Sequence, residues 1–176
     1  MERLSLIRPA IEYADQIISY RQEFLDADSS MDGCGSLRKL ADPVDWLDQV
    51  SSLSNKETVP AHWVQSTQFV YVKEPDKIII GMIQVRHYFN DFLERFGGNI
   101  GYSIRPSQRR KGVATKMLFD CLPYCKQIGL DRVLITCLDN NEGSRKVILA
   151  NGGVYESTVF EPGENVNLER YWIALK

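Results

Sequence analysis

The spacing of apolar residues changes period several times along the chain, and each change marks an element. Leu4 to Arg8 reads as a short strand ending at Pro9. From Ala10 to Ala27 the residues Ile11, Ala14, Ile17, Ile18, Tyr20, Phe24 and Leu25 recur at near-helical spacing. A loop with two glycines, Ser29 to Ser36, follows. Asp42 then Pro43 forms an N-cap with proline at the first helical position, opening a helix through Trp46, Leu47 and Val50. Ser54 to Trp63 is polar and irregular.

The period then shortens. Gln68 to Val72 and Lys77 to Arg86 are β-rich runs around the turn Lys73 to Asp76, and His87 to Gly98 connects them to a strand over Asn99 to Ile104. Val113 to Ile128 carries a helical stripe of Val113, Met117, Cys121, Cys125 and Ile128, with Pro123 expected to kink it or split off its last turn. Arg132 to Leu138 reads as a strand, Glu142 to Ala150 as a helix stopped by Gly152-Gly153, and Val154 to Phe160 and Leu168 to Leu175 as two last strands. The predicted order is βααβββαβαββ: one α+β domain over residues 1–176, with a mixed sheet and helices on its flanks.

Composition narrows the function classes. At 44% hydrophobic, 25% charged and a net charge of −2, the chain reads as an ordinary globular protein without the basic surface of a nucleic-acid binder. No apolar run approaches the ~20 residues of a membrane span, and a reducing cytoplasm is the expected compartment. Cys34, Cys121, Cys125 and Cys137 show no paired spacing; Cys121 and Cys125 lack His, Asp or Cys partners to complete a metal site, so buried structural thiols are expected.

Against this near-neutral background, Arg109-Arg110-Lys111 stands directly before Gly112 and a helix. Cations at a helix N-terminus oppose the helix dipole. They make sense if a polyanion docks there: the first-turn N–H groups lack intrahelical partners, and glycine lets a phosphate approach without a Cβ in the way. A solvated turn is the competing reading. The Walker-type pattern GxxxxGK[ST] is absent.

A second stretch, Thr136 to Gly153, leaves a strand, passes Asp139-Asn140-Asn141 and enters a helix ended by Asn-Gly-Gly. The run [RQ]xxGx[GA] at Arg109 to Ala114, followed by NxxS at Asn141 to Ser144 and then NGG, resembles the GNAT superfamily of acetyl-CoA-dependent N-acetyltransferases, and "GGNIGYSIRPSQRRKGVAT" looks most like a bacterial branch of it. The resemblance implies a sheet, mostly antiparallel, splayed at its central strands to admit the pantetheine arm of acetyl-CoA. It implies that backbone N–H groups of Arg110, Lys111, Gly112, Val113, Ala114 and Thr115 hold the pyrophosphate, with Arg109 and Lys111 supplying charge. Main-chain groups near Ser103 and Ile104 would pair with the arm, and an N–H near Ile104 would polarise the thioester carbonyl. Asn141 and Ser144 would contact the arm from the other side, with helix capping as the plainer role.

The resemblance also implies an amine of a small molecule or peptide as acceptor, with a homodimer as a candidate assembly; residue spacing, charge and hydropathy are what speak against a metal, a nucleic-acid partner and a membrane partner. Two positions depart from the pattern: Ile148 stands where many members carry an acid tyrosine, and Asn99 where related sequences carry histidine. His87 and Tyr102 are the remaining catalytic candidates, with His62 behind them. Trp46, Trp63 and Trp172 are expected in the core or in the acceptor cleft, and Tyr155 and Tyr171 in packing. Glu12, Glu23 and Asp26 read as a solvated helix face that could also draw a cationic acceptor. The competing functions are an acyl-CoA sensing module without turnover and, further off, a nucleotide- or nucleic-acid-binding domain built on the Arg-Arg-Lys-Gly turn.

Overall fold

A computed structural model describes residues 2–176. Strand β1 (Arg3–Ile7) leads through a short 3-10 turn into α1 (Ala14–Asp26) and α2 (Pro43–Ser54). Strands β2 (Ser66–Glu74), β3 (Ile78–Arg86) and β4 (Ile100–Ile104) follow. Then come α3 (Val113–Gln127), β5 (Arg132–Leu138), α4 (Glu142–Ala150), β6 (Val154–Glu161) and β7 (Val166–Ala174). The order is the predicted βααβββαβαββ.

Local chemistry sets the ends. The Asp42 carboxylate accepts the Val44 N–H at 2.8 Å, with Pro43 at the first helical position, so α2 starts where the dipeptide indicates. Helix α4 stops by bonds from Gly152 N–H to Leu149 O and from Gly153 N–H to Ile148 O. Asn151 donates to Thr115 O at 3.2 Å and Val147 O at 3.0 Å, tying the end of α4 to the first turn of α3. Helix α3 passes Pro123 unbroken to Gln127, against the expectation that its last turn splits off. Its stripe is well anchored there, with Cys121 and Cys125 both fully buried. The His87–Gly98 connection holds an unexpected turn of π-helix at Leu93–Gly97, begun by Asn90 Oδ1 accepting the Leu93 N–H at 2.9 Å.

Strands run in the order β1-β2-β3-β4 in one sheet and β5-β7-β6 in another, and every pairing is antiparallel. Helices α1 and α2 cover one face of the first sheet through Ile17, Tyr20, Phe24 and Trp46 on Val70, Val72, Ile79 and Met82. Helix α3 covers the other through Met117, Leu118, Cys121 and Cys125, and this layer continues onto Val133 and Ile135 of β5. With both faces covered, β2 and β3 are buried almost end to end, which explains their unbroken apolar runs. All four cysteines are free and buried.

The two sheets meet at Asn99. Its N–H donates to Leu134 O at 2.7 Å, and its Oδ1 accepts the Leu134 N–H at 2.8 Å. Its carbonyl accepts the Arg86 N–H at 2.7 Å, and its Nδ2 donates to Arg86 O at 3.2 Å. One side chain thus completes pairing on both sides of the chain. Beyond this stitch no ladder joins β4 to β5 among the described residues, so the strands splay.

Asn99→Leu keeps the volume but orphans the Leu134 N–H and the Arg86 carbonyl. Buried polar groups left without partners cost about 1–3 kcal/mol each. Urea denaturation should show a loss of about 2–6 kcal/mol on that basis, and a loss below about 1 kcal/mol would mean that the stitch is not needed.

Candidate functional site

The gap beyond Asn99 is one continuous cleft of about 1060 Å³. Strand β4 supplies Gly101, Tyr102, Ser103 and Ile104 to its wall, and β5 supplies Thr136, Cys137 and Leu138. Asn141 and Ser144 line it from α4, and Arg109, Arg110, Gly112, Val113, Ala114 and Thr115 close one end. These residues, singled out at three separate places in the sequence, therefore face one space. Lys111 and His87 do not line it.

At the α3 end, Gly112 is the N-cap residue with φ +75°, and it offers no capping side chain. A Cβ built there would meet no atom within 4 Å. The glycine thus supplies a left-handed backbone and leaves the approach open. Lys116 makes the first helical bond, to Gly112 O at 3.2 Å. Among the described residues, the backbone N–H groups of Arg110 to Thr115 donate to no protein acceptor. Arg110 also has a positive φ of 61°. Bare N–H groups on a turn of this kind form a concave anion receptor, reinforced by the helix dipole.

The three cations before Gly112 divide their work. Arg109 donates to Ile104 O at 3.1 Å and Ser29 Oγ at 2.8 Å, with its guanidinium 5.3 Å from the Phe24 ring centre, so it braces the turn against α1. Lys111 Nζ donates to Ser107 O and Gln108 Oε1, both at 3.3 Å, away from the cleft. Arg110 is the exposed cation of the three with no side-chain partner among the described residues, and it lines the cleft.

Other expected contacts are also engaged. The Tyr20 hydroxyl lies 3.0 Å from Ser103 O and 2.9 Å from Ser103 Oγ, which turns that side chain toward α1. Asn141 Oδ1 accepts the Ser144 N–H at 3.0 Å and caps α4, the plainer of its two expected roles. Ile148 is fully buried in the core, so a tyrosine at that position would have no view of the cleft. Two of the cleft hydroxyls, those of Tyr102 and Ser144, pair with each other, their oxygens 2.7 Å apart across the gap between β4 and α4. Burial pushes the Tyr102 phenol up to about 12 against the pull of the Ser144 hydrogen bond, so it is a neutral proton donor across the physiological range.

His87 is the expectation that the geometry does not bring to the site. Its Nε2 lies 2.8 Å from Thr67 Oγ1, and its ring stands beside Tyr124 on the α3 face of the sheet. Its neighbour Arg86 faces the cleft instead, because successive strand residues alternate faces. His62 and the three tryptophans also lie outside the cleft lining: Trp46 is fully buried, Trp63 is exposed, and Trp172 stacks under Arg132. Glu23, part-exposed on its helix face, is committed to other partners: it pairs with buried Arg105 at 3.1 Å and accepts the Ser107 N–H at 2.6 Å. Cleft residues missed in sequence include Asp32 on a loop, Arg86 at a strand end and Phe92 in the helical turn before Leu93, none of them in a motif.

A family model described as an acetyltransferase (GNAT) domain matches residues 3–154. No curated protein compared with the chain matches significantly. Among solved structures, RimJ from Mycobacterium smegmatis in complex with CoA-disulfide superposes with a TM-score of 0.72 at 18% identity, covering 97% of this chain and 81% of that one. A ribosomal-protein-S5-alanine acetyltransferase from Vibrio fischeri gives 0.70 at 17% identity, covering 99% and 93%. The microcin C7 self-immunity acetyltransferase MccE, in complex with acetyl-CoA and AMP, gives 0.70 at 16% identity, covering 97% and 92%. At these identities the likeness is one of fold.

The raised Tyr102 phenol is open to direct titration. Subtracting the alkaline absorbance curve of Tyr102→Phe from that of the unaltered protein should isolate one phenol ionising near pH 12. The unfolded chain gives up this proton near its ordinary value of 10, so the contribution of Tyr102 to stability is complete below pH 10 and fades up to about 12. A difference curve centred at 10 would show that the hydroxyl is not withdrawn from water.

Proposed function

Because the chain belongs to the GNAT acetyltransferase family, we propose that it moves an acetyl group from acetyl-CoA to an amine by direct attack in a ternary complex. The observation that carries this reading is the turn of unpartnered N–H groups at Arg110 to Thr115, opening onto a cleft that continues between the splayed strands. A diphosphate at that turn would satisfy those donors and meet Arg110. The pantetheine arm would then lie along β4 with Asn141 and Ser144 opposite. That RimJ and MccE were solved with coenzyme A derivatives supports acetyl-CoA as the donor. Four free, buried thiols accord with a reducing cytoplasm as the place of action.

In the reaction, the lone pair of a neutral amine forms a bond to the acetyl carbon, and the carbon–sulfur bond breaks with its electron pair leaving on sulfur. The amine gives its surplus proton to water. The leaving thiolate takes a proton from the Tyr102 hydroxyl, directly or through Ser144, and the phenol is restored from solvent. A phenol held at about 12 carries its proton at neutral pH; giving it to a thiolate, a weaker base than the phenolate left behind, is uphill, and the transfer is completed as solvent reprotonates the phenol. A backbone N–H near Ile104 would polarise the thioester carbonyl. His87, on the opposite face, has no part.

Gly112→Glu should leave the fold intact, since its Cβ points into open space, apart from the strain of its positive φ. It places a carboxylate where the diphosphate would sit, so calorimetry should show coenzyme A binding abolished; unchanged affinity would overturn the assignment. Tyr102→Phe should lower kcat for thiol release on the order of 10²-fold with little change in coenzyme affinity. Tight coenzyme binding with no thiol release for any amine would instead identify a sensing module.

A further inference from the structure

Two oppositely charged side chains line the cleft on the side away from the anion receptor, and neither is paired. Asp32 lies on the loop between α1 and α2, exposed, with Ser30 Oγ at 3.2 Å. Its place is fixed by backbone. Gly33, at φ +69°, lies so close to β4 that a Cβ would fall 2.3 Å from Gly101 O. Gln68 Nε2 donates to Gly33 O at 2.7 Å, and Trp46 Nε1 donates to Cys34 O at 2.7 Å. The carboxylate therefore sits on a rigid platform beside the middle of β4.

Arg86 ends β3 with its head in the cleft. One guanidinium nitrogen donates to Gly97 O at 3.1 Å and Gly98 O at 3.5 Å; the rest of the fork meets no protein acceptor among the described residues. Burial pulls Arg86 down to about 10, and the charge of Asp32 partly restores it, so the two sense each other without forming an ion pair. The contrast with Arg105 is direct. That guanidinium is buried where Arg86 is part-buried, and it meets Glu23, Ile79 O, Ser19 Oγ and Gln16 Oε1. Buried charges are ordinarily paired. Arg86 packs against Gly101, where a Cβ would stand 3.1 Å from a guanidinium nitrogen, so the glycine lets the head reach the cleft that both residues line.

We propose that the acceptor is a small zwitterion, an amine with a carboxylate or similar oxyanion a few bonds away, as in a free amino acid: Arg86 takes the oxyanion and Asp32 draws in the ammonium. This deepens the transferase reading and rests on it. A full negative charge, rather than the carbonyl of a peptide bond, is the stronger partner for a part-buried guanidinium whose fork is half unused. Asp32 and Arg86 are binding residues here and hand no proton to sulfur.

The test compares three acceptor sets by initial rates of thiol release from acetyl-CoA: the free amino acids, their amides, and the amines left by removing the carboxylate. At least one amino acid should exceed both its amide and its decarboxylated amine tenfold or more in kcat/KM. Arg86→Gln should raise KM for that amino acid at least tenfold and erase its advantage over the amide, while the coenzyme A Kd stays within twofold; Asp32→Asn should raise the same KM. If Arg86→Gln does not fold, Arg86→Lys keeps the charge without the planar fork and should show a weaker form of the same loss. Equal use of amides or simple amines, no turnover of any zwitterion, or an unchanged ratio in the Arg86 variant overturns the inference. Loss of discrimination with coenzyme A still bound sinks this proposal alone; failure of coenzyme A to bind sinks the transferase reading beneath it.

Discussion

The structure depends on a single interrupted pairing. Asn99 joins β4 to β5 with two hydrogen bonds to Leu134, and beyond it the strands part. A strand edge left open inside a protein has backbone groups that must find other partners. Part of that demand is met by side chains: the Tyr20 hydroxyl at Ser103 and Arg109 at Ile104 O. The remainder opens onto the cleft. Without the stitch the sheet halves would have no fixed vertex. With a full ladder there would be no space for a ligand between them.

Much of the fold was legible because the signals are local. Asp42-Pro43 starts a helix, Gly152-Gly153 stops one, and Met117, Cys121 and Cys125 fall on one stripe of α3. The anion turn was legible for the same reason, since a glycine between a strand and a helix places bare N–H groups without help from distant residues. Its cations are less legible: Arg109, which lines the cleft, and Lys111, which does not, also make bracing contacts to Ser29, Phe24 and Gln108 that depend on tertiary structure.

The misreadings have specific physical causes. His87 reads in sequence as a strand-end residue flanking the cleft, but one residue of register moves a side chain to the opposite face, and Arg86 holds the inward place. Asn99 reads in sequence as a base that is missing; in the fold its amide is a two-sided hydrogen-bonding bolt that a histidine ring could not copy in the same way. Ile148 reads as a missing acid, yet it is a core residue near the end of α4, and the Tyr102 hydroxyl meets the helix at its opposite end, at Ser144 in the first turn. Asp32 and Phe92 carried no signal because nothing in a loop's composition tells which strand it will lie on.

Gly33 and Gly101 touch backbone to backbone, with no side chain of either between them. Packed side chains can yield by changing rotamer, but peptide planes in contact have no such slack. The width of the cleft mouth at this point is accordingly set by covalent geometry, as the gap of a calliper is set by its frame. A homologous chain with even one methyl group at position 33 would have to carry this loop higher, and would present a differently proportioned opening to whatever enters.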